Sequence, residues 1–249
     1  MHKSFSGDKV ISEESLKKIF EKVFNERTMR CLYSLASKGY FQSLEFQIND
    51  GKEAHVFRAV DASGTFRAVK IYKVETSEFN AMAQYIEGDR RFSRVKKDRR
   101  SIVFTWAKKE FRNLQLLSDA KADVPYPTAV KENVLVMEFI GKDGIAAKSV
   151  KEAPPKSIES FREAMVEFMA KAYSKDLVHA DLSEYNVLNN GEKFVVIDVG
   201  QGVLTSHPMA GEFFRRDVEN IAGYISNCGE TVSAEELTEE VRRRAKSLG

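Results

Sequence analysis

Three polar residues in the second half of the chain have the types and spacing that phosphoryl transfer requires. Asp181 ends a His-Ala-Asp triplet, Asn186 follows five residues later, and Asp198 comes directly after the apolar run 195–197. An acid at Asp181 can orient an attacking hydroxyl or accept its proton. Asn186 and Asp198 offer the oxygen ligands that Mg²⁺ takes beside nucleotide phosphates. Either acid alone fits a turn cap or a strand end equally well, but the joint pattern predicts a catalytic loop.

A lysine far upstream lies in a sequence context typical of a phosphate-contacting side chain. Lys70 stands in the run Ala-Val-Lys-Ile on a predicted strand, where its ammonium group would be costly to bury without an anion. Nucleotide phosphates and one glutamate would satisfy it, as in the strand-lysine and helix-glutamate pair of kinases. Glu110 is the preferred partner because it lies on a predicted helix. Glu132 and Glu138 are the alternatives.

Two further segments would complete a nucleotide site. The turn that contains Gly51 has one glycine where a protein kinase carries three, so by itself it predicts an ordinary hairpin. Lys52 in this turn could reach phosphates, and Val56 is placed to cover an adenine. The segment 135–141 resembles a hinge, where adenine pairs with backbone groups. A plain buried strand fits its apolar pattern equally well.

Composition limits the class of protein. The chain has 249 residues, 39 Lys and Arg against 37 Asp and Glu, and 43% apolar residues. This excludes a disordered chain, a collagen and a small disulfide scaffold. Cys31 and Cys228 have no neighbouring cysteine or histidine at metal-ligand spacing, so neither zinc nor a disulfide framework is predicted. With no membrane-length apolar run and no signal peptide, we expect a cytoplasmic protein without a membrane partner.

The hydrophobic periodicity predicts three regions. Residues 1–40 form an N-terminal helical extension, in which Ser12 caps an apolar stripe formed by Leu16, Ile19, Phe20, Val23 and Phe24. Residues 41–140 form a first lobe, with three antiparallel strands over 44–72, a helix that starts at Thr105 and two further strands. Residues 141–249 form a mostly helical second lobe, which begins with a connector rich in glycine and proline.

The segment 74–105 has no clean period, and we expect a mobile basic loop there. Between Arg90 and Arg100, seven basic residues stand with the single acid Asp98: Arg90, Arg91, Arg94, Lys96, Lys97, Arg99 and Arg100. Clustered cations of this kind bind RNA phosphates without sequence preference. A flexible, solvated loop is the alternative interpretation.

Several short motifs together resemble the RIO family of atypical protein kinases. They are His-Ala-Asp-Leu-Ser-Glu-Tyr-Asn at 179–186, Ile-Asp-x-x-Gln at 197–201, His-Pro-Met at 207–209 and Arg-Arg-Asp at 215–217. The Asp-Gly-Lys-Glu-Ala turn and the helix Thr-Trp-Ala-x-Lys-Glu-x-Arg-Asn-Leu resemble the first RIO subtype. The resemblance covers about residues 40–228. Because the long charged tails of eukaryotic members are missing, we expect an archaeal source.

The resemblance implies an α+β, bilobal protein-kinase-like fold with an extra N-terminal helix. This fold is trimmed, without an activation segment or substrate-binding helices. ATP is the implied ligand, with Mg²⁺ as the metal and Mn²⁺ as its alternative. The implied roles are catalysis by Asp181, metal binding by Asn186 and Asp198, phosphate contact by Lys70, and backbone contacts to adenine by Glu138 and Ile140.

The family also implies a wider role. Asp198 would accept phosphate as an aspartyl phosphate, which makes the protein an ATPase as well as a serine kinase. Autophosphorylation is expected at Ser93 or Ser101 in the mobile loop. The implied partner is the pre-ribosomal small subunit with its rRNA, contacted through the basic stretch Arg90 to Arg100.

Two other functions fit parts of the pattern. A small-molecule kinase of the aminoglycoside-phosphotransferase kind shares the catalytic-loop elements, but only about 50 residues follow Asp198 to hold such a substrate. A binding module whose nucleotide state governs docking, with little turnover, is the second alternative. The complete set of polar residues in the predicted site argues against an inert version of it.

Overall fold

The computed structural model describes residues 24–75, 79–92, 95–96 and 98–248. The predicted helix capped by Ser12 lies outside these residues, apart from Phe24 at its end. The described helices are α1 (Glu26–Ser37), α2 (Phe79–Ile86), α3 (Arg99–Asp119), α4 (Ile158–Ser174), α5 (Ala210–Asn227) and α6 (Ala234–Leu248). Short 3₁₀ turns lie at Arg90–Phe92 and Val199–Gln201.

The strands fall into one large sheet and several small ones. Those of the large sheet are β1 (Ser43–Asp50), β2 (Ala54–Val60), β3 (Phe66–Tyr72), β4 (Pro127–Lys131) and β5 (Val134–Glu138). The others are β6 (Gly141–Lys142), β7 (Ile145–Ala146), β8 (Lys148–Ser149), β9 (Leu177–Val178), β10 (Val187–Asn189), β11 (Phe194–Val196) and β12 (Val203–Leu204).

The first lobe is an antiparallel sheet in the order β1-β2-β3-β5-β4, with a helix on each face. Alternation along β3 places Val69 and Ile71 on the face covered by α1, where they pack near Leu32 and Leu35. Ala68 belongs to the other core, which α3 shares. Since Lys70 alternates with Val69 and Ile71, it shares the face of α3. The predicted strands at 44–48, 55–60 and 66–72 are therefore confirmed.

The prediction for 74–105 is wrong in part. The apolar residues Met82, Tyr85 and Ile86 are buried and form the inner side of α2, a short helix that the sequence reading omitted. α3 begins at Arg99 rather than at Thr105, because the side chain of Asp98 caps it by accepting from the N–H of Ser101 at 3.0 Å. The mobility expected for this segment stays a prediction.

The second lobe is mostly helical, as its periodicity predicts. α4 and α5 bury their apolar stripes against each other and α6. Ser233 and Glu236 form a reciprocal capping box at the start of α6. After Asp198 the chain forms one 3₁₀ turn and β12 before α5 begins at Ala210. The predicted shortness of this connection is confirmed.

Cys31 is buried and Cys228 is exposed, and both are free thiols. Among the residues that the structure describes, the helices are all too short or too polar to cross a bilayer.

Candidate active site

The predicted site residues meet at one cleft of about 640 Å³ between the large sheet and the second lobe. Eight of the nine line it directly: Lys52, Val56, Lys70, Glu110, Glu138, Ile140, Asn186 and Asp198. Asp181 lies beside the cleft and is joined to it through Asn186. The size is that of a pocket for a small molecule or cofactor.

Lys70 bridges two carboxylates at the back of the cleft. Its Nζ lies 2.9 and 3.0 Å from the carboxylate oxygens of Glu110 and 2.7 Å from Oδ1 of Asp198. Burial acts to lower the pKa of Lys70, but the charges of Asp198 and Glu110 outweigh it and raise the pKa above its usual value. The lysine is therefore a fixed cation to which phosphates could bind.

Glu110 is the partner that the sequence preferred, and the alternatives are engaged elsewhere. Glu132 pairs with Arg27 at the surface, and the carboxylate of Glu138 accepts from the backbone N–H of Tyr126 at 3.1 Å. Glu110 is 1% exposed, and burial raises its pKa to about 7 while Lys70 opposes the rise. Helical spacing explains its position, since Glu110, Ala107 and Leu114 lie on the buried face of α3.

The side chain of Asp181 is held by two amides. Asn186 donates from Nδ2 to the carbonyl of Asp181 at 2.8 Å and to its Oδ2 at 3.3 Å, and Gln201 donates to the same Oδ2 at 3.1 Å. Burial raises the pKa of Asp181, and the nearby charge of Asp198 adds to the rise. Gln201 was not among the predicted site residues, although its position three residues after Asp198 belongs to a recognised motif.

Two side chains of helix α5 form hydrogen bonds with the backbone of the loop around Asp181. The carboxylate of Asp217 accepts from the N–H groups of Ala180 and Leu182, both at 2.8 Å, and Arg216 donates to the carbonyl of Ala180. Ala180 has φ of +67°, a left-handed conformation that is costly without such support. Burial raises the pKa of Asp217 to about 7. Sequence reasoning gave it no role, and its only signal was the Arg-Arg-Asp motif.

His179 hydrogen-bonds to the backbone of the loop that contains Asp181. Its Nδ1 accepts from the N–H of Asp181 at 3.3 Å, so Nε2 carries the hydrogen and donates to the carbonyl of Ile197 at 3.1 Å. Burial lowers the pKa of His179 to about 4, which keeps the ring neutral. One imidazole thus joins the strand before Asp198 to the loop of Asp181.

This histidine should make stability depend on pH. Its pKa is about 4 in the folded protein against 6.5 for an ordinary histidine, so the unfolded chain binds more protons between these values. We therefore expect the free energy of unfolding to fall as the pH drops from 6.5 to 4, by up to about 1.4 kcal/mol per unit. Urea unfolding of wild type and His179→Gln across this range measures it. Parallel pH curves for the two proteins would contradict the prediction.

Asp198 and Asn186 have the properties of a metal site that nucleotide phosphates would complete. The Asp198 side chain is 46% exposed, and its backbone φ of +59° sets it at the start of a 3₁₀ turn. Burial acts to raise the pKa of Asp198, but Lys70 outweighs this effect and holds the pKa below its usual value. Asp181 uses the amide nitrogen of Asn186, so the amide oxygen is the atom to offer a cation. The residues fit Mg²⁺, which binds proteins through few ligands beside phosphates.

The described residues contain no cluster of three or more carboxylate, histidine or cysteine side chains that could hold a metal alone.

The far end of the cleft contains the predicted hinge. The N–H of Glu138 donates to the carbonyl of Tyr126 at 2.8 Å, so this N–H is already engaged within the protein. The carbonyl of Ile140 accepts from Ala147 at 3.0 Å, which leaves its N–H. Lys73 holds the turn between β1 and β2, because it donates to Asp50 and to the carbonyl of Gly51. The sequence reading gave Lys73 no role.

The fold and the cleft define the class of protein. An antiparallel sheet carries the lysine, a helix packed on it carries the glutamate, and a helical lobe presents the two aspartates. This is the arrangement of a protein-kinase-like fold.

Comparison with known proteins then gives the family. Residues 55–237 match the RIO1 family, described as the RIO domain. The RIO-type serine/threonine-protein kinase Rio1 of Haloferax volcanii is 38% identical over 224 residues, which are 90% of this chain and 77% of the relative. Rio1 of Methanocaldococcus jannaschii is 41% identical over 210 residues, 84% of this chain and 71% of the relative. The chain belongs to the RIO family, as a RIO-type kinase of the Rio1 kind with archaeal relatives.

A solved structure confirms the fold class. The Rio2 kinase–ADP/Mg²⁺–phosphoaspartate complex from Chaetomium thermophilum matches with a TM-score of 0.65 over 94% of this chain and 78% of that chain, at 17% identity. The predicted trimmed, bilobal α+β kinase-like fold is thus confirmed. The roles given to individual residues, and the boundaries at 40 and 140, stay predictions.

Proposed function

We propose that this protein is a serine/threonine kinase and ATPase that uses ATP with Mg²⁺. Autophosphorylation and a phosphorylated Asp198 are parts of the proposal, which places its action in maturation of the small ribosomal subunit in the cytoplasm. The observation that carries it is the contact of Lys70 with both Glu110 and Asp198 in a nucleotide-sized cleft. The names of the Rio1 relatives support the kinase activity. Mn²⁺ is the alternative metal.

Each side chain has a task in this reaction. Lys70 binds the phosphates and keeps the Asp198 carboxylate ionised. Asn186 orients Asp181 through its amide nitrogen and would bind the metal through its amide oxygen. Bound Mg²⁺ would neutralise the charge that develops on the phosphates. In phosphorylation of Asp198, its carboxylate oxygen forms a bond to the γ-phosphorus while the bond to the bridging oxygen breaks, and ADP leaves. Water then attacks the phosphorus and transfers its proton to Asp181 while the bond between the phosphorus and the Asp198 oxygen breaks, which releases inorganic phosphate and restores the Asp198 carboxylate.

The name of the related complex supports the acyl phosphate. That Rio2 structure is described as holding ADP, Mg²⁺ and a phosphoaspartate. In this chain Asp198 is the half-exposed carboxylate of the cleft with a lowered pKa, so it is ionised and accessible for such chemistry.

The proposal of a ribosomal partner is based on the basic stretch between β3 and α3. Arg90, Arg99 and Arg100 are exposed there, which favours contact with RNA phosphates. Arg91 points inward instead, because it pairs with the buried Asp89. Of the two candidate serines, Ser93 lies outside the described residues, whereas Ser101 donates to the helix-capping Asp98 at 2.6 Å.

Transfer of label from γ-labelled ATP tests the chemistry. Wild type, Asp181→Ala and Asp198→Ala are incubated with labelled ATP and Mg²⁺, and the labelled protein is then treated with hydroxylamine. We expect a label that hydroxylamine removes and that is absent from Asp198→Ala, because hydroxylamine cleaves acyl phosphates. The matched control is Asp119→Ala, an exposed acid at the end of α3, which should label like wild type.

The other outcomes separate the competing functions. A stable label on serine that Asp181→Ala abolishes would favour an ordinary protein kinase. Neither label nor phosphate release, despite ATP binding, would reject both activities and favour a nucleotide-sensing assembly module. Turnover that rises only when small hydroxylated compounds are added would favour a small-molecule phosphotransferase.

A further inference from the structure

Two side chains of α3 bind the backbone turn that follows Asp198. Lys109 donates from Nζ to the carbonyl of Gly200 at 2.8 Å and also to that of Gly202. Asn113 donates from Nδ2 to the carbonyl of Val199 at 2.7 Å and to that of Gly202 at 2.9 Å. A single helix therefore supplies donors to three of the four carbonyls between residues 199 and 202.

Burying the polar groups of Lys109 and Asn113 costs free energy unless they form hydrogen bonds. Lys109 and Asn113 are both 0% exposed, and burial lowers the pKa of Lys109 well below its usual value. Leucine or methionine would fill the same space without desolvating an amine. The polar groups are explained by the carbonyls that they bind, since an irregular turn cannot satisfy its own backbone.

The same helix also holds the side chain of Asp198. Glu110, between Lys109 and Asn113, binds Lys70, and Lys70 binds the Asp198 carboxylate at 2.7 Å. The left-handed backbone of Asp198, with φ of +59°, is strained for a residue other than glycine and persists only when its surroundings fix it. α3 thus fixes Asp198 from both sides, through its carboxylate and through the turn behind it.

The turn at residues 199–202 packs so closely against α3 that two of its positions require glycine. A Cβ on Gly200 would lie 2.9 Å from Nε1 of Trp106, and a Cβ on Gly202 would lie 2.9 Å from Nδ2 of Asn113. The amide of Asn113 is itself oriented, because Arg91 donates to its Oδ1 at 2.8 Å. The turn can therefore rest on α3 in essentially one position.

We propose that Lys109 and Asn113 are positioning residues, which hold the Asp198 carboxylate where it binds Mg²⁺ together with the nucleotide. The proposal rests on the metal role of Asp198 in the proposed function. It adds that the position of α3, and not only the ion pair of Lys70, sets the affinity for the metal.

The test measures nucleotide affinity with and without the metal. ADP binding to the intact protein is titrated by calorimetry in EDTA and in Mg²⁺, and the ratio of the two dissociation constants is the Mg²⁺ enhancement. We expect Lys109→Met and Asn113→Ala to reduce this enhancement at least about fivefold, while affinity in EDTA stays within about twofold. Lys108→Met and Arg112→Met, which change exposed cations of the same helix, are the matched controls and should keep the enhancement.

The outcomes separate this inference from the proposed function. If Asp198→Asn loses the enhancement but Lys109→Met and Asn113→Ala keep it, the positioning role is wrong and the metal role stands. If Asp198→Asn itself keeps the enhancement, the proposed metal role fails first. Thermal unfolding checks that each variant is folded, and Asn113→Ala decides the question if Lys109→Met does not fold. Equal losses of affinity in EDTA and in Mg²⁺ would mean a structural role only, which also overturns the proposal.

Discussion

Asp181→Asn should lower the release of inorganic phosphate from phosphorylated Asp198 by about 1000-fold, or about 4 kcal/mol in the activation free energy. The substitution keeps the size of the side chain and removes the oxygen that can accept a proton. The carboxylate of Asp181 is also the acceptor for the amides of Asn186 and Gln201, so two donors lose a charged partner. Nucleotide binding should change little, because Asp181 does not line the cleft that holds the predicted nucleotide contacts.

The measurement is single-turnover release of inorganic phosphate at saturating ATP and Mg²⁺, together with the dissociation constant for ADP. Glu184→Gln is the control, because it makes the same acid-to-amide change three residues along the loop, where the side chain pairs with Lys151 at 3.5 Å. Equal rates for wild type and Asp181→Asn would remove the residue from the catalytic machinery. A large loss of ADP affinity would mean that the loop, rather than the proton acceptor, had been damaged.

Lys70→Met should lower kcat/KM for ATP by about 100-fold, or about 3 kcal/mol. The methionine keeps most of the volume but removes the cation that touches both Glu110 and Asp198. Without it, the buried Glu110 carboxyl, whose pKa is already about 7, takes up a proton. The pKa of Asp198 should also rise, because the charge that lowers it is gone.

Two control variants make this result specific. Lys131→Met removes a lysine from the edge strand of the same sheet, where its Nζ contacts Ser34, and should keep wild-type kinetics. The double variant Lys70→Met/Glu110→Gln no longer has the Glu110 carboxyl to titrate. It should lose as much activity as Lys70→Met but unfold with less dependence on pH near 7. Wild-type kcat/KM in Lys70→Met would contradict the phosphate-binding role.

The sequence by itself determined the family, the fold class and most of the elements. Asp181, Asn186 and Asp198 could be predicted as one site because they belong to short, local motifs, so residue spacing carries the information. Lys70 was visible because a lysine between apolar residues on a strand conflicts with burial unless a partner exists. The alternation of the first three strands and the capping box at Ser233 are equally local patterns, and the structure contains them.

Only the tertiary structure decided which distant residues support these groups. Lys109 is followed by Glu110 and preceded by Lys108, and nothing in this run shows that Lys109 is buried while Lys108 is exposed. Asp217 contacts the loop of Asp181 from 35 residues or more along the chain, through backbone N–H groups that have no sequence signal. The start of α3 was misplaced because its first turn carries charged residues that resemble a solvated loop. Burial and contacts between distant segments depend on packing, which the order of residues does not display locally.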